Sequence, residues 1–110
     1  MAIKISGITV IDDNRNLASV STYNVTTTAT SKTLANREFC TVTAATQTIT
    51  LPASPSAGWE IAISVEDFVD TVVGRNGQNI MGLAEDMTID VRNSTINLVF
   101  IDATRGWRFI

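Results

Sequence analysis

The chain is 110 residues long, the size of one domain, and a chain of this length buries roughly two-thirds of its unfolded surface, so it can hold a core without disulfides. Its net charge of −3, with the lysines and arginines scattered, argues against a nucleic-acid surface, because such surfaces need clustered cations to displace counterions. No segment approaches the roughly 18 apolar residues of a membrane helix, so we expect neither nucleic acid nor a membrane as a partner.

The composition favours β-strands. Sixteen threonines and many isoleucines and valines occur, and the stiff β-branched side chains of these residues suit a pleated surface. The single cysteine, Cys40, excludes an internal disulfide and a cysteine zinc site. The N-terminal sequence lacks the long apolar run of a signal peptide, so we expect the product to stay where it is made.

The sequence of the first third of the chain predicts an extended arm rather than a packed domain. Residues 2–11 predict a short strand, a kink at Gly7 and a second short strand. Residues 15–36 have only isolated apolar residues, and the threonine-rich run at 26–31 is close to low complexity. Because such a segment buries little apolar surface, it is either mobile or laid against a partner. We therefore assign residues 1–36 to an N-terminal arm and low-complexity connector.

Strand character returns at residues 37–44, where Cys40 and Val42 share one face. We interpret Cys40, which lies between a phenylalanine and a threonine, as a small buried hydrophobe rather than a reactive thiol. Residues 46–65 then alternate apolar and polar side chains on both sides of a turn. Two prolines, which lack the N–H of a sheet ladder, and Gly58 interrupt the alternation. The pattern predicts a hairpin around Pro52.

The rest of the chain predicts further short strands separated by turns. Asn76-Gly77 is a tight-hairpin signal, because both central residues of such a turn need a positive φ. The acidic loop at 66–70 precedes this region and carries Phe68 as a possible anchor. The predicted strands are 71–74, 79–83, 87–91, 96–101 and 107–110. Their spacing predicts an all-β fold, a small antiparallel β-sandwich or partly open barrel, with the β domain at residues 37–110 and an extended N-terminal arm.

The residues offer little for catalysis. There is no histidine, so serine-triad, cysteine–histidine and histidine–metal chemistry are all absent. Glu85 and Asp86 are adjacent, and on a strand they would point in opposite directions. Asp12, Asn14 and Asn16 match the first ligand positions of a calcium loop, but the central glycine and the closing glutamate are missing, so a polar turn is the better interpretation. We predict no enzyme, no catalytic residue, no cofactor and no metal site.

Four stretches carry a family resemblance, in the expected order. They are Ile-Ser-Gly-Ile-Thr-Val-Ile-Asp-Asp-Asn-Arg-Asn-Leu at 5–17, Ile-Thr-Leu-Pro-Ala-Ser-Pro-Ser-Ala-Gly at 49–58, Gly-Arg-Asn-Gly-Gln-Asn-Ile-Met-Gly-Leu-Ala-Glu-Asp-Met-Thr-Ile at 74–89 and Leu-Val-Phe-Ile-Asp-Ala-Thr-Arg-Gly-Trp at 98–107. Together they cover about half of the chain. The set resembles structural proteins of tailed bacteriophages, particularly tail-fibre-like proteins of cyanophages.

The resemblance implies a non-enzymatic virion protein that assembles in the host cytoplasm as a homotrimer and contacts other virion proteins, either the major capsid protein or a tail protein. The chain starts at Met1 and ends within the β module, so we expect no long shaft and no receptor-binding tip. Two roles stay open: a short tail-fibre-like component, or a capsid decoration (cement) protein. The small size favours decoration, since a compact plug over a capsid junction needs no shaft.

Large apolar side chains are the candidates for an assembly interface, because tryptophan and other aromatic residues are enriched at interface hot spots. We interpret Trp59 as core, whereas Trp107, next to the C-terminus, fits a core lid or an interface anchor equally well. The interface candidates are Trp107, Phe109, Tyr23, Val25, Leu17 and Phe68.

Two other function classes stay open beside the structural one. A carbohydrate-binding, host-recognition module of a phage fibre would contact glycan through Trp59, Trp107 and Tyr23, and it would need an exposed tryptophan in a shallow groove. A small hydrolase would need carboxylates that converge on one cleft, which the spacing of the acidic residues does not suggest.

Overall fold

The computed structural model describes residues 23–110, and within that range the chain forms nine strands in two sheets and no helix. The strands are β1 (Asn24–Thr28), β2 (Lys32–Thr33), β3 (Glu38–Val42), β4 (Thr48–Thr50), β5 (Glu60–Val65), β6 (Thr71–Gly74), β7 (Met87–Ile89), β8 (Thr95–Phe100) and β9 (Trp107–Phe109). The first sheet has the order β1-β3-β5-β8-β9, and the second has the order β2-β4-β6-β7. The all-β prediction is confirmed.

The strand pairing differs from the antiparallel sandwich or barrel that the sequence predicts. The first six strands alternate between the two sheets, and the pairs β1–β3, β3–β5, β2–β4 and β4–β6 are parallel. The chain therefore winds as a flattened coil of three turns, in which each strand of one sheet forms the crossover between two parallel strands of the other. Only the last three strands, β7, β8 and β9, pair antiparallel. Both sheets are mixed, and they do not close into a barrel.

The hairpin predicted over residues 46–65 is wrong, because its two strands belong to different sheets. β4 pairs with β2 and β6, and β5 pairs with β3 and β8. The nine residues 51–59 carry the chain from one sheet to the other, too many for a tight hairpin turn. The Leu51 N–H donates to Gly74 O at 2.8 Å and the Gly58 N–H donates to Phe100 O at 2.9 Å, so each end of the connection is bonded to its own sheet.

The turn at Asn76-Gly77 is confirmed, since their φ angles are 51° and 85°. The return strand predicted at 79–83 is wrong, and β7 pairs with β6 instead. The backbone of residues 79–82 bonds to the segment around β9, where the Trp107 N–H donates to Asn79 O at 2.9 Å and the Met81 N–H donates to Trp107 O at 2.8 Å. Positive φ angles at Met81 (53°) and Gly82 (78°) also break any strand there.

The core lies between the inward faces of the two sheets. β5 has more buried residues than any other described strand, four of six, because β3 and β8 flank it within the first sheet and the second sheet covers its inner face. Burying each of the large aliphatic side chains stabilises the fold by about 1.5–3 kcal/mol relative to leaving it exposed to water. The core residues with no exposed surface are Cys40, Val42, Ile49, Leu51, Ile61, Ala62, Ile63, Val73, Leu98 and Trp107. The interpretation of Cys40 as a buried hydrophobe is confirmed.

The described part of the predicted connector belongs to the two sheets. β1 pairs with β3 over five residues, and β2 pairs with β4 over two. Residues 24–28 and 32–33 therefore pair with strands of their own chain. Predictions that concern residues 1–22, namely the strands at 2–11, the polar turn at 12–16 and the interface role of Leu17, lie outside the described residues.

Candidate functional site

An open apolar groove lies where the two sheets end, between edge strand β7 of the second sheet and strands β8 and β9 of the first. The groove has a volume of about 280 Å³. β7 and the residues after it form one wall, and Phe109 of β9 stands at the other side. The lining residues are Met87, Thr88, Ile89, Asp90, Val91, Ser94, Ile96 and Phe109.

A second groove of about 240 Å³ shares Met87 with the first. The segment between the Asn76-Gly77 turn and β7 supplies the other lining residues, which are Ile80, Met81, Leu83, Glu85 and Asp86. We call the two grooves together the β7–β9 seam. Met87 packs against the core from this seam, so the seam is continuous with the interior of the protein.

The seam exposes large apolar side chains to solvent. Leu83 is 57% exposed, Val91 61% and Phe109 49%. Single exposed apolar residues are ordinary on a soluble protein, but a cluster along one pair of grooves is typical of an interaction surface. Two methionines, Met81 and Met87, line the seam, and their unbranched side chains can adapt to a partner's shape.

Free edges of the two sheets border the seam. The Val72 N–H donates to Gln47 O at 3.1 Å, so the peptide groups of Val72 face β4, and those of its neighbours in β6 face β7. In the antiparallel pair with β6, the peptide groups of Thr88 then point away from the sheet. In the first sheet, the Ile110 N–H donates to Asn97 O of β8. Because peptide groups alternate in direction along a strand, those of Phe109 point away from β8. The peptide groups of Thr88 and Phe109 are therefore available to a further extended segment, whereas those of Trp107 already bond to Asn79 and Met81.

The rim of the seam is acidic. Glu85 and Asp86 line the second groove and Asp90 the first, and all three residues are exposed. Asp86 accepts a hydrogen bond from the Arg75 N–H at 2.9 Å. Within residues 23–110 none of these three carboxylates has a cation within 4.0 Å, whereas four other carboxylates do: Glu38, Glu60, Asp67 and Asp102.

The predicted interface candidates are spread over the molecule. Phe109 lies in the seam, and Val25 is 71% exposed on β1, at the opposite edge of the first sheet. The Tyr23 hydroxyl donates to Glu60 Oε1 at 3.1 Å, and its ring meets Phe39 edge-on at 6.0 Å. Phe68 is half-buried against the core. The structure does not bring these residues together into one surface.

Trp107 lies in the core, with no exposed surface, and packs edge-on against Phe100 with ring centroids 5.4 Å apart. Its side chain is therefore not available for surface contacts. Trp59 is half-buried and packs against the core, as expected.

Sequence reasoning missed most of the seam, because it assigned Leu83 to a return strand at 79–83 and Met87 and Val91 to a strand at 87–91. One signal was available. Ile80, Met81 and Leu83 place apolar residues at consecutive positions around a glycine, and this arrangement does not fit the alternation of a half-buried strand. Such a run at the surface is more typical of a contact segment than of a strand.

A buried polar cluster lies at the other end of the coil. The Glu38 carboxylate is almost wholly buried and accepts hydrogen bonds from Lys32 Nζ, from Thr26 Oγ1 at 2.6 Å and from the Ala35 N–H at 2.9 Å. Burial alone would raise the pKa of Glu38, but these bonds and the Lys32 charge together lower it below the ordinary value. The hydrogen bond to Glu38 raises the pKa of Lys32. Because this carboxylate is fully engaged, the cluster is a structural tie between β1, β2 and β3.

The described residues show no other chemistry that would define a site. Burial raises the pKa of the Cys40 thiol, which makes it a poorer nucleophile. Residues 23–110 contain no group of three or more Cys, His, Asp or Glu residues placed to hold a metal ion. In the same range, no helix has the length and apolar character needed to cross a membrane. The sequence matches no protein-family model, and none of the curated proteins matches it.

Proposed function

We propose that this chain is a non-enzymatic structural protein of a tailed-bacteriophage virion, which assembles with copies of itself and with a capsid or tail protein. The β7–β9 seam is the observation that carries the proposal, because it is an apolar surface between two sheet edges with unused peptide groups. The sequence resemblance to phage fibre-like proteins supplies the virion setting and the homotrimer, and the role is that of a capsid decoration protein or a short tail-fibre-like component.

The carbohydrate-binding alternative finds less support. It needs an exposed tryptophan, but Trp107 is buried and Trp59 packs against the core. The hydroxyl of Tyr23 is also already bonded to Glu60.

The oligomeric state tests the proposal directly. We expect the purified chain to have the mass of a trimer in native mass spectrometry and light scattering at micromolar concentration. Leu83→Glu combined with Val91→Glu should shift the population to monomer, because each new charge would be buried unpaired in the interface. Val25→Glu, at the far edge of the first sheet, is the matched control and should leave the mass unchanged. A wild-type monomer that also fails to bind purified capsids or tails would overturn the proposal.

A further inference from the structure

We infer that the β7–β9 seam is the docking site for the N-terminal segment, residues 2–11, of a neighbouring copy of this chain. The inference rests on the proposed self-association and adds to it which two surfaces meet. Three observations carry it: the charge at the rim of the seam, the sequence of the segment, and the length of chain that joins the segment to β1.

The charge argues against a contact in which the same seam meets itself. A two-fold pairing of seams would bring Glu85, Asp86 and Asp90 of one copy close to their equivalents on the other. Like charges that face each other across an interface oppose association. The occupant should therefore be apolar and either neutral or positive.

Few cations of the described structure are free to meet the acidic rim. Four of the six lie within 4.0 Å of a carboxylate, namely Lys32, Arg37, Arg92 and Arg105. Arg75 Nη1 donates to Gln78 O at 3.0 Å. The other cation within residues 23–110 is Arg108, and the two outside that range are Lys4 and Arg15.

The sequence of residues 2–11 has the features that the seam requires. It reads Ala-Ile-Lys-Ile-Ser-Gly-Ile-Thr-Val-Ile, with Ile3 and Ile5 at alternate positions and Ile8 and Val10 after the glycine. Lys4 is its only charged residue, so the segment is positive and contains no carboxylate. An extended chain places alternate side chains on one face, and it can bond to an open strand edge while that face fills an apolar groove.

The connecting length permits exchange between copies. The described structure begins next to β1, and the eleven residues 12–22 span at most about 40 Å when extended. A small domain is about 30 Å across, so a linker of this length can extend past the edge of its own copy. Exchange of an identical segment between copies is a low-cost route to an oligomer, and here it would join one open edge of each copy to a segment of another.

Directed disulfides test the inference. One variant carries Ile5→Cys and a second carries Val91→Cys, and the two are mixed, dissociated in mild denaturant, reassembled and oxidised in air. We expect a covalent dimer made of one chain of each kind, identified by intact mass. The matched control replaces Val91→Cys by Val25→Cys, an exposed position at the opposite edge of the first sheet, and it should give little hetero-dimer. The native Cys40 has no exposed surface and stays in all variants.

The outcomes separate the inference from the proposed function. An Ile5→Cys, Val91→Cys double variant that forms a disulfide only within one chain would overturn the inference, because the segment would then lie on its own copy. A wild-type oligomer with no cross-link in the mixture would also overturn it and leave the proposed function standing. A wild-type monomer would overturn the inference, and a monomer that also fails to bind purified capsids or tails would overturn the proposed function as well. Lys4→Glu should weaken the oligomer several-fold at low salt and less at high salt, since added salt screens exposed charges.

Discussion

At the scale of single residues, Gly106 is the position with the least freedom. Its φ is +70°, and a Cβ atom there would lie 1.9 Å from Asn79 O. The Gly106 N–H bonds to Asp102 O at 2.8 Å, and the next residue, Trp107, bonds to the same Asn79 O. The turn at residues 102–106 therefore sets the position of the largest core side chain.

We predict that Gly106→Ala lowers the free energy of unfolding by more than about 3 kcal/mol, because the new methyl group meets the rigid backbone of Asn79. Gly77→Ala is the matched control. Gly77 also has a positive φ, +85°, but a Cβ atom there meets nothing within 4 Å, so only the backbone strain of about 1–2 kcal/mol remains. Urea unfolding followed by tryptophan fluorescence measures both. Equal losses for the two variants would contradict the steric argument.

Thr71 illustrates the opposite case, a buried group whose hydrogen-bonding capacity is unused. Its hydroxyl has no exposed surface and no hydrogen-bond partner within the described structure. We predict that Thr71→Val, which keeps the shape and removes the hydroxyl, raises the free energy of unfolding by about 1 kcal/mol. Thr88→Val, on the exposed face of the adjacent strand, should change it much less. A lower melting temperature for Thr71→Val would show that the hydroxyl has a partner after all.

At the scale of elements, Glu38 joins the first turns of the coil. Its carboxylate bonds Thr26 of β1, Lys32 of β2 and the Ala35 N–H before β3. The inward positions of β1 are Asn24, Thr26 and Thr28, where the neighbouring strand has Glu38, Cys40 and Val42. At the β1 end of the coil, the hydrogen bonds of the Glu38 carboxylate therefore hold the strands together in place of apolar packing.

The lowered pKa of Glu38 predicts a dependence of stability on pH. A carboxyl group with a lowered pKa in the folded state stabilises the protein above its unfolded pKa, near 4.5, and this contribution is lost as the pH falls toward the lowered value. Glu38→Gln should lower the free energy of unfolding by about 1–3 kcal/mol at pH 7. This difference from wild type should shrink below pH 4.5. The exposed Glu85→Gln is the control. A difference that is constant from pH 7 to pH 3 would contradict the prediction.

At the scale of the whole molecule, stability should be uneven across the sheets. β5 is central and buried, whereas β7 and β9 lie at the edges that border the seam. Among the strand residues, we predict that the amides of Ile61, Ile63 and Val65 exchange with solvent slowest and that those of Thr88 and Phe109 exchange fastest. Native-state hydrogen exchange measured by NMR would show this order. Strong protection of Thr88 and Phe109 only in the oligomer would support their place in an interface.

The sequence predicted most strands but not their partners. The alternation of apolar and polar residues is a local property, so it located the strands at 71–74, 87–89, 95–100 and 107–109 within a residue or two. It does not specify which neighbour a strand bonds to, and the parallel coil of β1 to β6 was missed. Glu38 was missed for a similar reason, because a charged residue in a sequence indicates exposure unless its partners, here Lys32 and Thr26, are known to meet it.

The coil has an asymmetry that bears on how such a protein can be lengthened. Between β3 and β5, two of the three inward pairs are apolar, Cys40 beside Ile63 and Val42 beside Val65. A further turn of the coil inserted between β3 and β5 would meet apolar side chains on both sides. A turn added ahead of β1 would have to pack on the inward asparagine and threonines of that strand. Growth of this scaffold by duplication, in nature or by engineering, is therefore easiest from the middle.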